Sequence, residues 1–172
     1  MPKAPAAQKM FNAAAHFALV DIALWECSLK RYLDYLPAVH DGHVNVYFRD
    51  GVRAQVAEGE TPEGSVGKFL RAFITLGIRG VYRPDDSEQA SESREDVTEN
   101  VLFEIEATFL VLYAITKEPA AEDLKNFARL NCMHNAWPFW RQHVFDTLKR
   151  ASLPQITLPF FQMNCGTGAD ED

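Results

Sequence analysis

Two long apolar–polar alternations restrict the folds open to this chain more than any other feature. In Val101–Ile115, VLFEIEATFLVLYAI, the odd positions Val101, Phe103, Ile105, Ala107, Phe109, Val111 and Tyr113 are apolar or aromatic, while Glu104 and Glu106 share the other side. In residues 69–83 the even positions Leu70, Ala72, Ile74, Leu76, Ile78 and Tyr82 are apolar, and Arg71, Thr75, Arg79 and Arg83 lie opposite. A period of two is that of a strand, whose successive side chains leave the two faces of a sheet. Each segment is therefore predicted to be a strand with one face on a core. The two are expected to pair across 84–100, PDDSEQASESREDVTEN, which reads as a long, solvated acidic loop.

The rest of the chain adds shorter elements. Residues 17–25, FALVDIALW, fit a strand or a short helix, and periodicity does not decide between them. Residues 43–49, HVNVYFR, alternate as a strand, and Asp50-Gly51 is a tight-turn dipeptide, so 52–57 are predicted to return as a short hairpin arm. Pro119 suits a first helical position, and Glu122 and Asp123 complement the positive end of a helix dipole. A helix is predicted onward from there, kinked or restarted at Pro138, which lacks a backbone donor and crowds the preceding turn. Trp137, Trp140, Val144, Phe145 and Leu148 then recur at helical spacing, followed by the extended apolar segment 152–161 and the acidic end GADED. Strands first and helices last predict an α+β fold, with a flexible start over 1–16, one domain over 17–161 and a flexible acidic tail over 162–172.

Composition excludes more than it selects. A formal net charge of -7 disfavours a phosphate backbone or an anionic membrane surface as the main partner. Cys27, Cys132 and Cys165 are odd in number and lack a CxxC pair, which fits a reducing cytoplasm better than a disulfide framework or a thiolate zinc site. His16 and Asp21 interrupt the apolar start before it could act as a signal-peptide core, and no segment approaches the roughly 20 apolar residues of a membrane span. His40 and His43 lack a third ligand at suitable spacing for a metal, and Cys132 and His134 point apart on a helix. Glu104 and Glu106 share a strand face, where a solvated surface is the plainer reading than acid–base work. With no phosphate loop, nucleophile elbow or dinucleotide fingerprint, the expectation is a non-enzyme without cofactor or metal. Its apolar and aromatic excess goes either to an ordinary core or to association and recognition of apolar chain.

Trp137-Pro138-Phe139, Arg141 and Val144, followed by Leu153-Pro154, Ile156, Leu158 and Pro159, resemble the C-terminal half of the SecB family of protein-export chaperones. That family has a Phe-Pro-Tyr-x-Arg helix start and, a helix later, Gly-x-Phe-Pro and a Leu/Pro-rich extended segment. Upstream, Leu102 and Glu104 resemble its Leu-x-Glu strand element, and Val20-Asp21-Ile22 its Lys-Asp-Ile. The chain departs from the pattern at Ala151, where the family has glycine, in one residue missing before Pro159, and in the longer 84–100 loop. It also lacks a tryptophan in the crossover before His43 and, near Phe161, the further amphipathic helix of fuller family members, so the resemblance is to a divergent SecB-like protein.

The resemblance implies a four-stranded antiparallel sheet with C-terminal helices packed on one face, assembled as a homotetramer, a dimer of dimers. It implies an ATP-independent holdase for unfolded polypeptide clients, serving protein export or protecting a specific client such as an antitoxin. Ile22, Leu24, Val44, Val46 and Phe48 match client-groove strands, with ordinary core as the alternative. Asp21, Leu102 and Glu104 match positions that dock the SecA translocation ATPase, with a solvated strand face as the alternative. Trp137, Trp140, Val144 and Leu148 match the subunit interface, with packing inside the chain as the alternative. A rival reading is a non-catalytic adaptor that binds one folded partner through the 84–100 loop and the Glu104/Glu106 face.

Overall fold

A computed structural model of the protein describes residues 15–61, 64–83 and 100–161. Four strands, β1 (Phe17–Arg31), β2 (Val44–Glu60), β3 (Val66–Tyr82) and β4 (Val101–Ile115), form one antiparallel sheet in the order β1-β4-β3-β2. The short helix α1 (Pro37–His40) lies in the crossover that carries the chain from one edge of the sheet to the other. After β4 come α2 (Ala121–Phe127), a π-helical turn (Ala128–Cys132) and α3 (Met133–Arg150). This is the α+β order read from the sequence. The 84–100 loop falls, except for Asn100, outside the described residues, as do the predicted tail and all of the predicted flexible start except Ala15 and His16.

The two alternating segments are the central strands, in the register their pattern demands. Leu70, Ala72, Ile74, Leu76 and Ile78 of β3 lie opposite Tyr113, Val111, Phe109, Ala107 and Ile105 of β4, so both apolar rows share one face. That face is the core, and Met133, Ala136, Trp140, Val144 and Leu148 of α3 close it, with Leu153 and Leu158 beyond the helix. Among the described residues no helix covers the other face. Gly80 belongs to this packing: a Cβ there would stand 2.4 Å from the Phe103 ring, so the bare backbone makes room for a fully buried aromatic.

Three expectations need correction. Asp50 and Gly51 do not turn; they pair with Leu76 and Thr75 in the middle of a continuous β2, and the chain reverses only after Glu60, where the Thr61 N–H donates to the Ser65 carbonyl at 2.7 Å and Gly64 takes a positive φ of 77°. Apolar Val52 and Val56 extend the alternation of Val44, Val46 and Phe48, and a long β3 offers a partner for every residue, which outweighs a local turn preference. The helix does not restart at Pro138: α3 continues through it, and a π turn at Ala128–Cys132 lies upstream. One lost backbone bond is tolerated at Pro138 because the helix is held mainly by its buried face. Finally, Trp140, Val144 and Leu148, expected at a subunit interface, are buried within the single chain, Trp140 to 1% exposure. Residues 17–25 resolve as strand, the first half of β1.

The end of α3 explains the absent glycine. Ser152, at φ 52°, is the left-handed residue, and the Leu153 N–H donates to the Leu148 carbonyl at 3.0 Å, as in a Schellman cap. Ala151, at φ -86° and ψ 0°, needs no glycine.

Candidate functional site

β2 is an edge strand, and its core-side row is only partly covered. Val44, Val46 and Val52 are half-buried, whereas Phe48, at 54% exposure, and Val56 stay open. Beside this row runs a cleft of about 520 Å³ between Phe48, Asp50 and Leu76 on the sheet and Met133, Trp137 and Phe160 on the helical side. A second, of about 440 Å³, lies between Val52 and Ala54 and the α2 residues Leu124 and Lys125. Both are lined by Asp50 and Arg129, so together they make one trough along β2. Its far wall is pinned by Trp137, whose indole N–H donates to the Pro159 carbonyl at 2.9 Å and whose ring lies 5.6 Å from that of Phe161. Arg141 adds a cation over the exposed Phe160 ring at 4.4 Å. Among the described residues β2 pairs only with β3, which leaves its outer backbone groups open to an added strand.

The five predicted client residues share the core-side face but do not form one site. Phe48 lines the trough, Val44 and Val46 lie further along the same row and pack against the core, and Ile22 and Leu24 pair with Val111 and Phe109 on β1, at the opposite edge. Trp137, predicted for a subunit interface, is half-buried and holds the C-terminal segment of its own chain.

The helix-free face carries a charge lattice in place of an acidic surface. The Glu104 Oε1 accepts from Arg79 Nε at 2.6 Å and its Oε2 from the Tyr32 hydroxyl at 2.7 Å. Arg49 pairs with Glu106 at 2.5 Å, its side chain lying across Gly77, where a Cβ would meet it at 2.6 Å. Burial disfavours the charged form of Glu104, but the hydrogen bonds from Tyr32 and Arg79 and the charges of Arg79 and Arg49 outweigh it and hold the carboxyl below its usual range. The same bond to Glu104 raises the Tyr32 phenol.

A group whose acidity is strengthened by folding stabilises the fold above its unfolded pKa, and that contribution fades as pH falls through the lowered folded value. The stability advantage of the native chain over Glu104→Gln is thus expected to be full above about pH 4.5 and to shrink below it, measured by urea unfolding at a series of pH values. A gap that stays constant through the acid range would refute the assignment.

Of the other residues predicted for partner docking, Asp21 is exposed and accepts from the Ile22 N–H at 2.8 Å. Leu102 needs correction: it is the extra residue where the register steps from Gly80–Phe103 to Val81–Val101, and it is fully buried, its carbonyl accepting from the Tyr32 N–H at 3.0 Å. A partner cannot reach its side chain without moving the strand.

Sequence reasoning missed a cluster on this face. Phe73 projects from the helix-free side, yet it is only 6% exposed, because Trp25 meets its ring edge-on at 5.4 Å and Arg53 and Arg71 lie over it at 4.8 and 5.6 Å. Trp25 reaches it from a β1 bulge, where the register steps between Leu24 and Glu26, an offset that alternation cannot reveal.

The candidates for covalent or metal chemistry are separated. Burial pushes the Cys132 thiol up to about 12, so it stays protonated at neutral pH, and His134 is exposed. Among the described residues no three His, Cys, Asp or Glu side chains gather as metal ligands, and no helix is long and apolar enough to cross a membrane.

No family model matches the sequence, and no curated protein matches it. The fold does match a solved structure, that of the Mycobacterium tuberculosis SecB-like chaperone Rv1957 in complex with a ChAD peptide from the Rv1956 HigA1 antitoxin. The likeness covers 90% of this chain and 97% of that one, with a TM-score of 0.59 and 19% sequence identity. Topology, register and this likeness agree, and the chain is an α+β protein of SecB-like fold.

Proposed function

We propose that this protein is a molecular chaperone, an ATP-independent holdase that binds nonnative polypeptide in the trough along β2. The observation that carries the reading is the meeting of an apolar trough with an unpaired strand edge. A client strand added to β2 would gain main-chain hydrogen bonds, which carry no sequence information, while every second side chain turned into the trough. Such a site holds many sequences weakly and needs no catalytic group. The similar mycobacterial chaperone holds an antitoxin peptide, which favours protection of one dedicated client over general export. The ion pairs on Glu104 and Glu106 weaken the case for a basic partner on the opposite face, including the SecA translocation ATPase.

Copies are expected to associate as a homotetramer. The exposed apolar side chains Leu19 and Leu29 of β1 are better suited to that contact than the buried row of α3. The test is suppression of aggregation of a chemically denatured substrate, followed by light scattering without ATP, alongside native mass. Suppression at about one chain per client by an oligomer is the expected result. A monomer that leaves aggregation unchanged would refute the proposal.

A further inference from the structure

The cluster around Phe73 lies on the face of the sheet away from the trough and plays no part in holding a client there. Three observations set it apart. An aromatic side chain on a sheet face that no described helix covers is ordinarily exposed, yet Phe73 is roofed by Trp25 and by the guanidinium groups of Arg53 and Arg71. Neither guanidinium meets a carboxylate among the described residues, whereas Arg49 and Arg79 on the same face are paired with Glu106 and Glu104. In a chain of net charge -7, this is a local concentration of unmatched positive charge. Beside it, Leu110 and Leu112 of β4 are half-buried on the same face, and Trp25 keeps 57% of its surface exposed.

We propose that this face is a second binding surface, for a segment of a partner protein that carries carboxylates next to an apolar side chain. A guanidinium that stacks on a ring keeps its N–H edge free, and that edge matches a carboxylate in two parallel bonds. Arg53 and Phe73 are direct cross-strand partners and Arg71 is two residues from Phe73, so both forks rise from one spot and suit neighbouring acidic side chains. The apolar residue of the segment would rest against Trp25 and the leucines, where an aromatic anchor has the largest effect. A polyphosphate would meet the same forks but also the acidic remainder of the chain, which is why a peptide is favoured over a nucleic acid.

The test uses the full chain and a short labelled peptide in which Asp and Glu flank a single Phe, followed by fluorescence anisotropy. Its twin with Asn and Gln in place of the acids, and a single-stranded oligonucleotide, serve as comparisons. The acidic peptide is expected to bind at least about tenfold more tightly than its twin, and Arg53→Gln/Arg71→Gln to erase that difference, while Phe48→Asp in the trough preserves it. Glutamine keeps part of the arginine stem, and far-UV circular dichroism checks that the sheet is retained. If the double variant does not fold, the comparison of the acidic peptide with its twin on the native protein decides alone. Equal binding of acidic peptide and twin, an intact double variant that binds like the native chain, or tighter binding of the oligonucleotide would each overturn the proposal. None of these results bears on holding in the trough, which the Phe48→Asp arm reads separately.

Discussion

Trp140→Ala is expected to lower the unfolding free energy by about 3–5 kcal/mol, a large part of the roughly 5–15 kcal/mol that a domain of this kind possesses. The indole is almost wholly enclosed between α3 and the central strands, among the largest side chains in the core, and stacks near His143 at 6.1 Å. Its removal forfeits the transfer free energy of the ring and leaves a cavity that rigid strands on one side cannot collapse to fill. Urea unfolding followed by circular dichroism reads the effect as a fall in midpoint at similar slope.

Trp137→Ala is the informative comparison. That indole is half-buried and loses one hydrogen bond, to the Pro159 carbonyl, so the cost is expected to be about 1–2 kcal/mol. The comparison also separates two placements of Trp140. A core residue destabilises each chain while native mass stays unchanged, whereas an interface residue shifts the mass and makes the loss depend on protein concentration. If Trp140→Ala cost no more than Trp137→Ala, or acted by dissociating an assembly, its assignment to the core of one chain would be wrong.

The same contrast shows where the sequence was legible. The alternation in residues 69–83 and Val101–Ile115 named both central strands and the face each turns to the core, because a period of two leaves little freedom once one face is buried. Periodicity on α3 likewise identified a buried face. It did not say what that face meets, and the interior of one chain and a contact between chains demand the same residues, so Trp140, Val144 and Leu148 were open to either reading. Asp50-Gly51 misled because turn preferences are local and small beside a ladder of paired residues.

The site was less legible because it depends on topology. Ile22 and Leu24 look equivalent to Val46 and Phe48 as apolar strand residues, yet the crossover puts β1 and β2 at opposite edges, and only the coordinates show the trough beside β2. Leu102 and Trp25 were displaced by bulges, which shift a side chain without leaving a mark in composition or period. The arginines show the third gap. Arg71 and Arg79 share one side of β3, but that the second meets Glu104 follows from register with β4, and the first lies instead over Phe73 on its own strand.

Phe48→Asp combined with Ala54→Asp is expected to weaken client binding by at least about tenfold to a hundredfold, the equivalent of losing one buried aromatic contact and placing charge where water is excluded. Both residues are exposed in the free protein and each lines one of the two joined clefts, so the fold is expected to lose little stability. Far-UV circular dichroism and native mass would establish that the variant is intact before its affinity for a labelled unfolded polypeptide is measured. Leu24→Asp supplies the control on the other edge, an equivalent change at an exposed apolar residue of the same face but outside the trough. If the trough holds the client, the β2 variant loses affinity and Leu24→Asp changes affinity per chain by less than about threefold. A reversed result would move the client path to β1. Equal, small effects from both would mean that main-chain pairing alone supplies the affinity, and the apolar trough would lose its role.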